Sequence, residues 1–270
     1  MQFGKRGGVV HISREATHDD ILKKVCKVNE PKKTVESVDG GAKRNGSTPQ
    51  QHPSNGIPTS PKTQEEIEEE NLLLSIGAKR TSDPIPLSIV NPEYELAYRA
   101  VYLKDRKARA ELRKRGLEYY AFTRNCQRCV PTWEANRRGW LVTALPKISK
   151  DKLSHFWMST WKRQDLIELA NWPDNPMKEQ IEKIMKGWGD GARAEISVSW
   201  KGSNSGHVFV AEQRNGETFF IDPQSNDADC SSYFSNIAGH GGQQGILRID
   251  NNEFSDVAKE CFTRISNTPS

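Results

Sequence analysis

Residues 206–223 read GHVFVAEQRNGETFFIDP, and this stretch has the pattern of a β-hairpin. Asn215-Gly216 is a strong two-residue turn signal, and β-branched and aromatic residues fill the runs on both sides of it. A two-residue loop pairs Asp222 with Phe209, whereas a four-residue loop pairs Asp222 with His207 directly. Because side chains alternate along a strand, both registers predict that His207 and Asp222 lie on one face, within reach of each other.

An acid that contacts a histidine fixes the tautomer of the ring and stabilises its imidazolium, which is half of a nucleophilic site. Taken alone, the pair has a structural alternative, in which His207 caps a turn and Asp222 ends a strand. The chain must therefore supply a nucleophile before the pair predicts catalysis.

A pair of cysteines stands upstream, in the segment Asn125–Pro131, which reads NCQRCVP. Pro131 fits the first turn of a helix, where its missing N–H costs nothing, so Cys126 and Cys129 are expected at or just before a helix N-terminus. The helix dipole and the unpaired N–H groups at that end lower the pKa of a thiol and can bind a developing oxyanion.

The C-x-x-C spacing has two other interpretations. A redox-active pair is one, but the sequence predicts no strand of the thioredoxin kind before Cys126. Half of a zinc site is the other, but the chain has no second C-x-x-C or H-x-x-x-H to complete four ligands. We therefore predict no metal and no cofactor, and a cysteine nucleophile is favoured.

Composition divides the chain into three parts. Hydrophobic residues make up 35% and charged residues 27% of the 270 residues, and the apolar deficit is concentrated near the N-terminus. Residues 1–28 form a short segment with the pattern of one helix. Residues 29–70 are rich in Pro, Gly, Ser, Lys and Glu and are predicted to be a disordered linker. Residues 71–270 are predicted to form one domain, firmly ordered from about Asn91.

Within that domain, helices are predicted before strands, an α+β order. One or two amphipathic helices are expected in 93–120, and further helices over 129–138, 152–169, 177–188 and 255–263. Strands are expected over 140–145, 192–200, 207–212, 217–222 and 245–249. On the strand 192–200, the apolar residues Ala194, Ile196, Val198 and Trp200 alternate onto one face.

Charge and cysteine content indicate the compartment and the partners. The net charge is +4, and the basic run Lys104–Arg115 is interpreted as a solvated helix face, so a nucleic-acid partner is not expected. No apolar run is long enough for a transmembrane helix, and the first residues lack the apolar core of a secretory signal peptide. Five cysteines, an odd and sparse set, indicate free thiols in a reducing compartment.

Seven short motifs then point to a known family. In chain order they are NCxxCV from Asn125, ExxRRG from Glu134, VTALP from Val142, GxGAR from Gly189, WKG from Trp200, GHVFVAE from Gly206 and FIDPQ from Phe220. Together they resemble the papain-fold toxin domains proposed as glutamine deamidases, over about Asn91 to Thr263. Similar domains occur in phage and prophage head-associated proteins and in polymorphic bacterial toxins.

The resemblance implies a papain-like cysteine hydrolase fold, with N-terminal helices packed on an antiparallel sheet. It also implies a triad of Cys126 or Cys129 with His207 and Asp222. The Asn-Cys pairing in the family favours Cys126 as the nucleophile. A late helix start at Pro131 and the general papain arrangement favour Cys129. We lean to Cys126. The side chains of Asn125, Gln127 and Gln224 are the candidates for an oxyanion donor.

The function that this resemblance implies is hydrolysis of protein glutamine side chains to glutamate. The same triad would serve a cysteine protease, an isopeptidase or a transglutaminase-like acyl transferase, and a catalytically silent phage structural module is a further alternative. The expected partners are a host or competitor protein as substrate and a phage head or secretion apparatus. The expected location is the cytoplasm or the virion, with delivery into a target cell.

Overall fold

A computed structural model describes residues 62–148, 156–240 and 244–265 of the chain. The predicted segment 1–28 and the predicted linker as far as residue 61 lie outside the described residues. Among the described helices, none combines the length and the apolar character that crossing a lipid bilayer requires.

The described residues contain six α-helices and three short 3₁₀ turns. The helices are α1 (Gln64–Ser75), α2 (Tyr94–Val101), α3 (Arg106–Lys114), α4 (Cys126–Arg137), α5 (Phe156–Ser159) and α6 (Met177–Trp188). The 3₁₀ turns are Leu87–Ile89, Ser231–Asn236 and Asp256–Glu260.

The strands form two sheets in which every pairing is antiparallel. They are β1 (Lys79–Arg80), β2 (Trp140–Ala144), β3 (Ile167–Glu168), β4 (Arg193–Ser199), β5 (Gly206–Arg214), β6 (Glu217–Ile221), β7 (Gly245–Arg248) and β8 (Phe262–Arg264). The larger sheet has the order β3-β7-β4-β5-β6, and the smaller has the order β1-β2-β8. The predicted α+β class with an antiparallel sheet is therefore confirmed.

The larger sheet is covered on both faces, which explains the continuous apolar run in β5. Val208 and Val210 belong to a core cluster that includes α4 and β2. Phe209 and Ala211 belong to a second cluster, which includes α6. The predicted stripe from Ala194 to Trp200 on β4 is buried in this second cluster. Period-two alternation thus gives each face of the sheet its own core.

The hairpin takes the register of the two-residue loop. Val210 pairs with Ile221 and Arg214 with Glu217, on either side of Asn215-Gly216. Asn215 has φ 51° and Gly216 has φ 80°, as a turn that matches the right-handed twist of a hairpin requires. In this register Asp222 is diagonal to His207, not directly opposite to it.

Helix α1 corrects the predicted end of the linker. It begins at Gln64, six residues before the predicted boundary at residue 70, with a capping box formed by Thr63 and Glu66. Only Leu73 of this helix is buried, which is why composition favoured disorder. An ion pair between Glu69 and Arg138, 2.5 Å, attaches the helix to the domain.

Two predicted helices are wrong for most of their length. In the described part of 152–169, only Phe156–Ser159 is α-helical and Ile167–Glu168 is a strand. Residues 255–263 form a 3₁₀ turn followed by β8, not an α-helix. The rings of Trp161 and Phe254 stack 5.0 Å apart in the core, and this long-range contact overrides the local helical pattern.

The basic run in α3 behaves as an amphipathic helix. Ala108 and Leu112 are buried in a small cluster with α2, and most of the basic side chains are exposed. This arrangement agrees with the interpretation of the run as a solvated helix face.

A buried ionic network ties α4 to the rest of the domain. Glu134 of α4 is fully buried and accepts hydrogen bonds from Arg138 Nε, 2.8 Å, and from Arg193 Nε, 2.6 Å. Arg138 also donates to the carbonyls of Ile249 and Asn252, each at 2.7 Å. The motif residues around Glu134 and Arg193 therefore join α4 to β4 and to α1.

We predict that Glu134→Ala lowers the free energy of unfolding by about 3–5 kcal/mol, because two largely buried guanidinium groups lose the carboxylate that they share. Chemical denaturation measures the change. Glu182→Ala is the matched control: it breaks the exposed pair with Lys178 and should cost roughly 0.5 kcal/mol or less. Equal costs for the two variants would contradict a central role for Glu134.

Candidate active site

Helix α4 begins at Cys126, three residues before the start predicted from Pro131. Pro131 lies in the second turn, where its missing N–H leaves the carbonyl of Gln127 without the usual donor. Arg128 anchors this end of the helix, since its guanidinium donates to the carbonyls of Pro146, 2.8 Å, and Glu260, 2.9 Å. Cys126 is therefore the first helical residue, and Cys129 lies one turn deeper.

Strand β5 is longer than β6, and Cys126 contacts the part of β5 that extends beyond the end of β6. β6 ends at Ile221, which pairs with Val210, so β5 continues past its neighbour toward His207. Among residues 156–240, no strand covers β5 on that side at Val208. The N–H of Val208 donates to the sulfur of Cys126, and the imidazole of His207 hydrogen-bonds to the same sulfur.

Asp222 is a fully buried carboxylate with four hydrogen-bond donors. Its Oδ2 accepts from His207 Nε2 at 3.1 Å, from Ser225 Oγ at 2.8 Å and from Tyr233 Oη at 2.8 Å, and its Oδ1 accepts from the N–H of Gln224 at 2.9 Å. Burial alone would raise the pKa of Asp222, but the charge of His207 and these hydrogen bonds lower that pKa to about 2. The group therefore stays ionised.

His207 is 2% exposed and packs between aromatic rings, with Trp200 at 5.9 Å and Tyr233 at 5.8 Å between centroids. Burial alone would lower the pKa of His207, but Asp222 and Cys126 outweigh it and raise the pKa to about 10. Because Nε2 contacts Asp222, Nδ1 is the ring nitrogen left for the sulfur. The imidazole is thus held between a carboxylate and a thiol.

The two candidate nucleophiles differ in environment. Burial opposes ionisation of Cys126, but the charge of His207 and hydrogen bonds from His207 and the Val208 N–H lower the pKa of this half-buried thiol. Cys129 is fully buried in the core, and burial raises its pKa well above the ordinary value. The geometry favours Cys126 as the reactive thiol.

The three candidates for an oxyanion donor differ in whether their side chains line the cleft. Asn125 is buried and donates to the carbonyl of Leu145 at 3.2 Å. Both amide atoms of Gln224 are buried away from the cleft, with no hydrogen-bond partner in the described part of the chain. Gln127 alone of the three lines the cleft with Cys126. Among the described residues, no backbone acceptor takes the N–H of Cys126 or Gln127, the first two of α4.

Asn91 connects the two loops that carry the site. Its side-chain amide donates to the Gln224 carbonyl at 2.7 Å, to the Phe122 carbonyl at 2.9 Å and to Asn125 Oδ1 at 3.3 Å. Asn125 precedes Cys126, and Gln224 follows Asp222 by two residues. Asn91 therefore fixes the start of α4 relative to the loop that carries the carboxylate.

A cleft of about 320 Å³ opens beside Cys126 and His207. It lies between the start of α4 and α5, over the ends of β4 and β5, and its other lining residues are Gln127, Trp157, Ser197, Val198, Ser199, Asn204, Ser205, Gly206 and Val208. A Cβ atom at Gly206 would lie 2.6 Å from the Val198 carbonyl oxygen, so the close approach next to His207 requires glycine.

Several of these residues were not predicted from the sequence. Ser197 and Ser199 alternate with the apolar stripe of β4, so they lie on a face that α4 also covers. Polar side chains on a covered face are the signal that could have located the cleft. Ser225 lies in a loop and Tyr233 in the 3₁₀ turn Ser231–Asn236, and no sequence spacing links them to Asp222. No group of three or more His, Cys, Asp or Glu residues in the described ranges is arranged to hold a metal ion.

Residues 124–226 match the model of the family described as papain fold toxin 1, glutamine deamidase. The matched segment is similar to a papain-fold toxin domain. The match includes Cys126, His207 and Asp222, and it is shorter than the resemblance over 91–263. The family description of the toxin domain names a hydrolase-type reaction, the deamidation of glutamine. Comparison of the chain with curated protein sequences and with solved structures gives no significant match.

We predict that alkylation of Cys126 follows a titration below the ordinary pKa of a thiol. The thiolate–imidazolium pair should exist between the lowered pKa of Cys126 and the pKa of His207, about 10. In His207→Ala the opposing charge is gone, so the thiol pKa should rise above its ordinary value. The pH profile of iodoacetamide labelling on the tryptic peptide 125–128 measures the shift.

His240→Ala is the matched control for this profile, because His240 is exposed and lies outside the cleft. Circular dichroism checks that each variant is folded. An unchanged labelling profile in a folded His207→Ala protein would contradict the thiolate–imidazolium pair.

Proposed function

We propose that this chain is a protein-glutamine deamidase that uses Cys126 as nucleophile, His207 as general acid and base, and Asp222 as the group that orients His207. One observation carries the proposal: the sulfur of the first residue of α4 hydrogen-bonds to an imidazole that a buried carboxylate holds. The glutamine deamidase description of the matched family supplies the reaction class.

The reaction begins when the Cys126 thiolate attacks the carbon of the glutamine γ-carboxamide. The carbonyl oxygen becomes an oxyanion, for which the N–H groups of Cys126 and Gln127 at the start of α4 are the available backbone donors. The Gln127 side chain also lines the cleft and remains a candidate donor. As the tetrahedral intermediate collapses, His207 gives its proton to the departing nitrogen, and ammonia leaves.

The second half of the reaction hydrolyses the thioester. Neutral His207 removes a proton from water, which attacks the thioester carbon, and the C–S bond breaks to give glutamate and the thiolate. Asp222 stays ionised and stabilises the imidazolium each time that it forms. Tyr233 and Ser225 keep the carboxylate in place through their hydroxyl groups.

The lining of the cleft supports a neutral, hydrogen-bonding substrate group. Apart from Cys126 and His207, the lining side chains that the structure describes are serines, amides, Val198, Val208 and Trp157, and none carries a formal charge. A carboxamide both donates and accepts hydrogen bonds, and it needs no counter-charge. This match favours a glutamine side chain over a charged side chain.

Proteolysis, isopeptide cleavage and acyl transfer to an amine use the same three groups and are alternative outcomes of the same assay. A silent structural module does not account for a thiol of lowered pKa beside a protonated imidazole. A toxin deamidase implies a protein target, and we propose a host or competitor protein for this role. Association with a phage head or a secretion apparatus, and delivery into a target cell, remain predictions of the resemblance.

We predict that the protein releases ammonia from a glutamine-containing protein and raises the mass of that protein by about one dalton per event. Cys126→Ala should abolish ammonia release, whereas Cys129→Ala should keep most of it, because Cys129 is a packing residue. Ammonia assay and intact-mass spectrometry measure both. Cleaved fragments would indicate a protease, and full activity in Cys126→Ala would refute the proposed nucleophile.

We predict that Asp222→Asn lowers the rate constant kcat by up to roughly ten-thousandfold, because the imidazolium loses the charge that stabilises it. The same change should lower the pKa of His207, because the charge and the hydrogen bond of Asp222 raise it, and the pH dependence of the imidazole NMR signals measures this shift. Asp229→Asn is the matched control, since the hydrogen bonds that this exposed carboxylate accepts among the described residues come from Ser231 in its own turn. If both variants behave alike, Asp222 has no role in orienting His207.

A further inference from the structure

The second cysteine of the C-x-x-C motif has no role in the proposed reaction. Cys126 and Cys129 are residues 1 and 4 of the same helix, so their Cα atoms are about 5 Å apart by helix geometry. That separation falls within the range that disulfides span, although the Cβ atoms must approach by about 1 Å. The first turn of a helix can make this adjustment, because it has few backbone hydrogen bonds to lose.

The packing supports contact between the two thiols. Cys129 is fully buried in the cluster that contains Val130 and Trp133, and Cys126 packs against this cluster from the cleft side. The charges of Cys126, Asp222 and Cys261 all act on the thiol of Cys129, and of the two cysteines only Cys126 lies on the same helix, one turn away. Cys126 is thus the accessible member of the pair, and Cys129 is the protected one.

We propose that Cys126 and Cys129 form a redox site that a low-molecular-weight disulfide, such as oxidised glutathione, converts to an intramolecular disulfide. The thiolate of Cys126 attacks one sulfur of the oxidant, and a mixed disulfide forms as one glutathione thiolate leaves and takes up a proton. Cys129 then loses its proton and attacks the sulfur of Cys126, which expels the second glutathione. Two protein thiols are oxidised to one disulfide, and one molecule of oxidised glutathione is reduced to two thiols.

The order of these steps follows from exposure. The half-buried Cys126 faces the cleft, so it meets the oxidant first. Cys129 cannot meet the oxidant, but it lies one turn below the sulfur that the oxidant activates. Because burial disfavours the Cys129 thiolate, the second step is slower than the first and accelerates as the pH rises.

The structure describes two other cysteines, Cys230 and Cys261, and both are buried. Cys230 lies in the core cluster on the α6 face of the sheet. Cys261 lies in the same cluster as Cys129, and its sulfur contacts the hydroxyl of Thr160 at 3.7 Å. Neither lines the cleft, so neither can form the first mixed disulfide.

The disulfide would block the Cys126 sulfur that the proposed function requires. Its formation would therefore stop the deamidase activity, and its reduction would restore that activity. This consequence rests on the proposed function, but the disulfide itself does not. Chemical labelling of Cys126 reports the redox state without any substrate. Failure of the redox site and failure of the deamidase are therefore distinguishable.

The test uses the full chain, incubated with oxidised glutathione, quenched with N-ethylmaleimide and digested with trypsin. Arg128 separates the tryptic peptide 125–128, which carries Cys126, from the peptide 129–137, which carries Cys129. We expect the two peptides to be linked by a disulfide that dithiothreitol breaks. Labelling of Cys126 by iodoacetamide should fall at least about tenfold on oxidation and return on reduction.

Two variants sharpen this test. In Cys129→Ala the oxidation should stop at the glutathione adduct of Cys126, and Cys230→Ala, a buried control on the other face of the sheet, should behave as wild type. A wild-type protein that accumulates only the glutathione adduct would overturn the proposal. So would a linkage of Cys126 to Cys26, or of Cys129 to Cys261, in place of the predicted one.

Discussion

The buried carboxylate of Glu134 determines where α4 lies, and the position of α4 determines where Cys126 lies. Glu134 accepts hydrogen bonds from Arg193 on β4 and from Arg138 on its own helix. A carboxylate taken out of water needs such partners, because burial without them costs several kcal/mol. The pairing therefore leaves α4 one favourable position on the sheet, with its N-terminus at the uncovered end of β5.

A second constraint acts at that end of the sheet. Because β6 ends opposite Val210, the N–H of Val208 is left without a strand partner on that side and donates to the sulfur of Cys126. Asp222, the residue after β6, accepts four hydrogen bonds and holds the ring of His207. The Val208 N–H and the charge of His207 lower the pKa of Cys126, and Asp222 contributes indirectly, because it raises the pKa of His207 and keeps the imidazole charged.

Much of this arrangement follows from local pattern. The turn at Asn215-Gly216 and the alternation on both sides of it place His207 and Asp222 on one face in either register that the sequence allows. The stripe on β4 likewise predicts which residues face α6. These predictions hold because the period of side chains along a strand is fixed by backbone geometry, whatever the strand packs against.

Other predictions were wrong because a distant contact outweighed a local preference. Pro131 favours a helix start, but Arg128 and Thr132 hold the turn before it through hydrogen bonds to carbonyls, so α4 begins at Cys126. The predicted helix 152–169 is interrupted because Trp161 stacks on Phe254, far away in the chain. Local propensities are fractions of a kcal/mol per residue, and burial of one large aromatic side chain exceeds them.

The sequence by itself determined the α+β class, the family resemblance and the residues that we propose for the chemistry, with Cys126 and Cys129 both open, because hydrophobic periods and motif spacings are local properties of the chain. Only the tertiary structure distinguished the accessible Cys126 from the buried Cys129 and brought Ser225 and Tyr233 to Asp222. Burial and hydrogen bonding between segments set the pKa of a thiol, and neither quantity exists before the segments meet.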